Sequence, residues 1–256
     1  MESNHSKHDI FIVADDLGLD PAVNGGIFFA FKNGLISGAS LMANGEAFDD
    51  AIKRLRDLPG ANIGIHLVLV EERPLTSIKL PKNHKTFFIK YVLGMIKKDE
   101  IINELEAQIQ KILGAGIKLQ FINSHQHLHL LPGIMDVTIS LAKKYKIPYI
   151  RIVNEPLKSK GGLFRKAQLI FLNFLSLMAK KKISRAGLRC NDFLVGFINA
   201  GNLNFDDVNL AKKLQSKYSN KFIELGCHPG FESQELVEKY GYWRYHWRQE
   251  IEALSK

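Results

Sequence analysis

Cysteine is nearly missing: Cys190 and Cys227 are all that the 256 residues contain. A disulfide-stapled scaffold is thereby excluded, and a reducing cytoplasm is the expected compartment. The opening stretch from Met1 to Lys7 is polar and has no apolar core, so no secretory signal peptide is read there. No strand is followed by Gly-x-Ser-x-Gly, a Walker loop or Gly-x-Gly-x-x-Gly, and Asn24-Gly25-Gly26 falls within helical spacing. Serine hydrolase, nucleotidase and dinucleotide readings therefore lose their anchor. There is no internal repeat and no low-complexity tract. Acids are outnumbered, 26 against 35 Lys and Arg, for a net charge of +9. That excess implies anionic surroundings (nucleic acid, acidic lipid or an anionic substrate), yet no nucleic-acid motif accompanies it.

What is present suits one large α/β domain, since 46% hydrophobic residues supply a substantial core. Ile10-Phe11-Ile12-Val13-Ala14 runs into Asp15-Asp16-Leu17-Gly18, the pattern of a buried parallel strand ending at a charged rim. Helical spacing follows over 22–32, stopped by Asn33-Gly34. A short strand is expected over 39–43, a helix from about 48 to 58 with Phe48, Ala51, Ile52 and Leu55 on one face, and a strand over 62–67. From 70 to 98 the pattern loosens, with Pro74, Pro81 and scattered lysines, which predicts an insertion or lid over the strand ends. Asp99 is expected to cap a helix striped by Ile101, Leu105, Ile109 and Ile112. Further strands are expected over 118–123, 148–153, 192–198 and 221–227. Helices are expected from Pro132-Gly133 to about 145, over 163–183, from near 206, and at the end of the chain. This alternation predicts a single domain over 1–256 with about seven parallel strands in a closed or nearly closed barrel.

Catalytic groups in such barrels gather at the carboxyl ends of strands, and Asp15, Asp16, His66, His125, Arg151 and His228 all fall there. Side chains alternate along a strand, so Asp15 and Asp16 point different ways, and one can hold a cation while the other handles a proton. If His66 and His125 converge with Asp16, they make a two-histidine, one-carboxylate face suited to Zn²⁺, Fe²⁺, Mn²⁺ or Mg²⁺. Within His125-Gln126-His127-Leu128-His129, an extended backbone puts three imidazoles on one face. His125 is the expected ligand because it is nearest the strand end. His127 and His129 are expected further out, as substrate contacts or as supports for the ligands. Cys227 and His228 face opposite sides of their strand, which argues against a thiol nucleophile and leaves His228 as an acid. Arg151 orients a carboxylate, meets a substrate anion or makes a surface ion pair.

Four separated stretches carry a family resemblance: Ala14-Asp15-Asp16-Leu17-Gly18, Gly64-Ile65-His66-Leu67-Val68-Leu69, Asn123 through His129, and Cys227-His228-Pro229-Gly230. In that order they resemble the motifs of YdjC-like carbohydrate deacetylases, which include chitooligosaccharide deacetylases and deacetylases associated with hopanoid biosynthesis. Leu17 stands where many members have phenylalanine, a change of packing rather than chemistry. Arg185 through Asp192, with Arg151 through Pro156, looks closer to the hopanoid-associated branch. The resemblance implies a distorted (β/α) TIM-like barrel in which Asp16, His66 and His125 bind one divalent metal, often Mg²⁺, with Zn²⁺ or Mn²⁺ as alternatives. It implies Asp15 as general base, His228 as general acid and an N-acetylated amino sugar as substrate. Two other readings remain: a metal-dependent sugar isomerase or lyase on the same barrel, and a non-enzymatic basic module that binds membrane or nucleic acid.

The helix over 163–183 has an apolar face of Phe164, Ala167, Phe171, Phe174, Leu175 and Met178, broadened by Leu169, Leu172 and Leu177, with basic residues at both ends. It reads either as an outer barrel helix or as a helix lying at an anionic membrane surface, which would make the protein peripheral at the inner face of the membrane. Exposed apolar stripes would also support a homodimer.

Overall fold

The computed structural model describes residues 10–157 and 162–256. The polar start, Met1 to Lys7, lies outside them. Strand β1 (Phe11–Leu17) is followed by α1 (Pro21–Lys32), β2 (Gly38–Leu41), α2 (Phe48–Leu55), β3 (Ile63–Leu67), α3 (His84–Val92) and α4 (Lys98–Gly114). Next come β4 (Ile122–Ser124), α5 (Ile134–Lys144), α6 (Leu163–Arg185), β5 (Phe193–Val195), α7 (Phe205–Lys217), β6 (Ile223–Cys227), α8 (Gln234–Tyr240) and α9 (Trp247–Leu254). The strands form one parallel sheet in the order β4-β3-β2-β1-β6-β5, so the first strand lies inside the sheet, flanked by β2 and β6.

Six strands are assigned among the described residues, not seven. The expected strand over 148–153 makes only isolated parallel bridges, Ile122 to Ile150 and Tyr149 to Arg189. Its hydrogen bonds still join the two outer strands: the Ile122 N–H donates to the Tyr149 carbonyl at 2.9 Å, and the Leu194 N–H to the Asn154 carbonyl at 3.1 Å. At Ile152 a side chain replaces backbone partners, since the Asn191 amide bonds both its N–H and its carbonyl. The result is a curled α/β sheet compatible with a TIM-like barrel.

Local chemistry explains most element boundaries. Asp20 accepts the Ala22 N–H at 2.7 Å and Pro21 opens α1. In α2, Phe48, Ala51, Ile52 and Leu55 are buried. Helix α4 begins at Lys98, one residue before the expected Asp99 cap, because Glu100 reaches back to the Lys97 N–H at 3.2 Å. Helix α3 lies inside the stretch expected to be irregular. Only Phe87 of α3 is buried, while Phe88, Ile89 and Val92 face solvent, so no core-facing stripe marks it in the sequence. The single terminal helix expected is two, α8 and α9, with a 3-10 turn at Gly241–Trp243 between them.

Candidate metal and catalytic site

The site is built around the end of β1, where Asp16 adopts a left-handed φ of 65° and the register with β2 shifts between Ala14 and Leu17. Asp16 is a non-glycine residue in a conformation that favours glycine, a strain found where side chains must be aimed. Asp15 Oδ1 accepts from Ser40 Oγ and from Asn123 Nδ2, both at 2.8 Å, and its Oδ2 accepts from Arg151 Nη1 at 2.5 Å. Asp16 instead meets His66 Nε2 at 3.2 Å and His125 Nδ1 at 3.4 Å. Both Asp16 oxygens are buried without a well-formed hydrogen bond.

The two imidazoles are held in place from behind. His66 Nδ1 donates to Asn123 Oδ1 at 2.8 Å, which leaves Nε2 facing Asp16. His125 Nε2 donates to Glu71 Oε2 at 3.0 Å, which leaves Nδ1 for the same focus. One ligand atom from each of Asp16, His66 and His125 lies within 4.8 Å of the others. Orphaned carboxylate oxygens, two imidazole nitrogens of fixed orientation and carboxylate or amide partners behind them are the donor set of a divalent cation site, so these residues fit a metal ion. Without the ion, burial works against charge on His125, but the carboxylates of Asp16 and Glu71 outweigh it and push its pKa up to about 10. The Asp16 carboxyl is held well below the usual carboxylate range, the two imidazoles overcoming the effect of its burial.

Asp15, His66, His125, His127, Arg151 and His228 line one small cavity of about 40 Å³. Burial raises the Asp15 carboxyl, yet the Arg151 guanidinium, with His66, brings it well below the usual range. His228 follows β6, and its turn packs against α1, where a Cβ on Gly26 would meet Gly230 Cα at 2.3 Å. Behind the His228 ring sits Glu250 of α9, fully buried, with Oε2 at 3.8 Å from Nδ1 and accepting the His228 N–H. Burial lowers the His228 pKa, and Glu250 more than reverses this, so the imidazole holds its proton above its ordinary value. Cys227 is buried, its Sγ donating to the Val13 carbonyl at 3.4 Å, and burial pushes its thiol well up, so it is no nucleophile.

The histidine run is not extended. It forms a 3-10 segment, His125–Leu130, with Gln126 and His127 at φ 54°, so the three rings do not share a face. His127 borders the cavity beside Phe197, with Nδ1 unpartnered. His129 turns inward instead of outward: it is buried, accepts from Ser124 Oγ at 2.6 Å and donates to the Arg151 carbonyl at 2.8 Å. Burial pushes it down to about 4, so it is a neutral brace. Arg151 makes no surface ion pair. At 1% exposure it bridges Asp15 and Glu224, with Nε at 2.6 Å from Glu224 Oε1, while Tyr149 donates to the other Glu224 oxygen.

Sequence reasoning missed Ser40, Glu71, Glu224 and Glu250 altogether. A glutamate within the buried run Ile223–Cys227, and another on the core face of α9 beside Trp247 and Ile251, were the available signals. Glu71 offered none, since it sits at φ 72° between elements. Also missed was a wider groove of about 480 Å³ that adjoins the cavity through Gln126, Arg165 and Tyr245 and is walled by Tyr242 and Trp243. The aromatic-rich run from Tyr240 to Trp247 was its signal.

The family model described as YdjC-like protein matches residues 9–256. A carbohydrate deacetylase of Vibrio parahaemolyticus serotype O3:K6 is 27% identical over 90% of this chain and 81% of its own length. One of Clostridium beijerinckii is 26% identical over 94% and 89%, and one of Geobacillus stearothermophilus is 35% identical over 53% and 56%. Among solved structures, a candidate cellobiose-phosphate cleavage protein of Enterococcus faecalis V583 superposes with a TM-score of 0.72 at 22% identity, covering 96% of this chain and 90% of that one, a likeness of fold. A family match across nearly the whole chain, on a fold that brings Asp15, Asp16, His66, His125 and His228 together, assigns this protein to the YdjC-like family.

Proposed function

We propose that this protein is a metal-dependent deacetylase that hydrolyses the N-acetyl group of an amino sugar. The observation that carries the proposal is the buried Asp16 carboxylate, without a well-formed hydrogen bond between two imidazoles that line one cavity with Asp15 and His228. Relatives named carbohydrate deacetylase support the substrate class.

Asp16, His66 and His125 are the residues that would hold the ion. When bound, it supplies the Lewis acidity that polarises an amide carbonyl and lowers the proton affinity of water, which a base as weak as Asp15 requires. Asp15, kept ionised by Arg151 and oriented by Ser40 and Asn123, accepts the proton of the attacking water. His228, whose hold on its proton Glu250 strengthens, delivers a proton to the departing amine. Tyr242, Trp243 and Tyr245 give the groove apolar faces with polar edges, suited to the ring faces of a sugar. The family resemblance favours Mg²⁺, whereas two imidazole donors suit Zn²⁺ or Mn²⁺ better. The resemblance to the hopanoid-associated branch makes a lipid-linked glucosamine one substrate of this reading, and a cytoplasmic location agrees with the scarcity of cysteine.

The test is acetate release from soluble and lipid-linked N-acetylglucosamine compounds, with the chelated protein and each metal restored in turn. Acetate that appears only with metal supports the proposal. Conversion of a sugar without acetate would favour the isomerase or lyase chemistry that the same ligand set permits.

A further inference from the structure

Helix α6 is apolar on two sides. Leu169, Leu175, Ala179 and Ile183 face the core, while Phe164, Phe171, Phe174, Leu177 and Met178 form a second stripe at helical spacing that faces solvent. Phe164, Phe174 and Leu177 are 66%, 59% and 61% exposed. The exposed side of α3 continues this stripe. The Phe88 and Phe171 rings meet edge to face at 6.0 Å, Lys85 Nζ lies 5.4 Å above the Phe164 ring, and Val92 and Leu93 are 65% and 67% exposed. A patch of large apolar side chains spread over two helices is more than the scattered exposure of an ordinary surface.

Charge decides what covers it. Neither helix contains an Asp or Glu, while α3 has two Lys and α6 has six Lys or Arg. Lys180 and Lys182 pair with Asp192 and Asp136, but among the described residues Lys85, Lys90, Lys166 and Lys181 make no ion pair. A second copy docked on this face would set like charges against each other, whereas an anionic lipid surface complements them. No helix among the described residues is long and apolar enough to cross a membrane, so the contact is lateral. The same two helices also wall the groove, through Asn83, His84 and Lys85 on one side and Arg165 on the other.

We propose that the exposed face of α3 and α6 docks on an anionic membrane and brings the groove to that surface. The docking rests on this face alone. Only its use, in taking an amino sugar borne on a lipid, rests on the deacetylase reading. Leu175 is buried and unsuited to a test, so Phe174→Glu/Leu177→Glu is the variant of choice.

The protein is sedimented with phosphatidylcholine vesicles with and without phosphatidylglycerol, at low and high salt. Expected is binding to the anionic vesicles that falls by about tenfold or more in their neutral counterparts, at high salt, and in the double variant. The variant should match the wild type in circular dichroism and in acetate release from a soluble chitooligosaccharide. Absence of binding, or binding that survives the double change, would overturn the proposal. A wild-type dimer that the variant dissociates would also overturn it, by giving the face to a second copy. Vesicle binding without any acetate release would leave the docking standing and sink the deacetylase reading instead.

Discussion

Asp15 and Asp16 are adjacent in sequence, yet one ends among hydrogen-bond donors and the other between two imidazoles, because the backbone turns left-handed at Asp16. That division predicts separable defects. Asp15→Asn and His228→Ala should lower turnover by about 10² to 10⁴ while calorimetric metal binding persists, the usual scale for losing general acid-base help. Metal binding lost in Asp15→Asn would exchange the aspartate roles. His228 adds a pH signature. A raised pKa keeps the acid form present above its ordinary range, and activity that needs this form falls as pH rises through the folded-state value. Glu250→Gln removes the carboxylate responsible, so the alkaline limb of kcat/KM should move to lower pH. A limb that stays in place would remove Glu250 from the chemistry. At this scale the sequence was informative wherever a polar residue interrupted an apolar strand end, as at Asp15, Asp16, His66 and His228. It was silent on Glu71, whose part depends on a loop conformation that no periodicity encodes.

Elements bring these residues together through a buried ionic link. Arg151 from the 148–153 segment joins Asp15 of β1 to Glu224 of β6, with Tyr149 on the far oxygen. Arg151→Met would leave two carboxylates in the core without their cation, a change expected to cost about 3 to 5 kcal/mol. The sign with pH is fixed. In the wild type the depressed Asp15 pKa contributes stability that is present above the unfolded carboxylate range and lost as pH falls through the folded value. Without Arg151 the same carboxylates shift upward, and a raised carboxyl loses stability as pH rises. Urea unfolding should therefore show a larger deficit at pH 8 than at pH 5. Equal deficits would mean that Arg151 acts only by packing. Strand and helix alternation was legible because β1, β3 and β6 are apolar runs bounded by turn residues and α2 and α4 have one core stripe each. A seventh strand over 148–153 was read where the described residues form only isolated bridges, and α3 was not read at all. The 148–153 segment trades ladder bonds for the Asn191 side chain, and α3 turns its apolar residues outward.

For the whole molecule, the question is what holds the centre when no ion is bound. Asp16 is 1% exposed, and a lone carboxylate at such depth would destabilise the fold. His125 offsets this: with its pKa pushed up to about 10 it is protonated at neutral pH, and it sits between Asp16 and Glu71 as a substitute cation. Chelation should therefore leave a folded protein. A metal that enters must displace the proton, so binding should release protons, which calorimetry in buffers of different ionisation enthalpy measures. Because the three ligands are far apart in sequence and converge only in the native state, binding acts on the folded form. At a free metal concentration of about 100 times Kd it should add about 2.7 kcal/mol. For a chain of this size that corresponds to a rise in Tm of about 5 to 10 °C. His66→Ala, which removes one ligand and leaves the His125 ion pairs, should fold but lose most of the rise. If chelated and metal-restored protein melt together, or if His66→Ala keeps the full shift, the divalent site at Asp16, His66 and His125 is wrong, whatever the fate of the catalytic assignments.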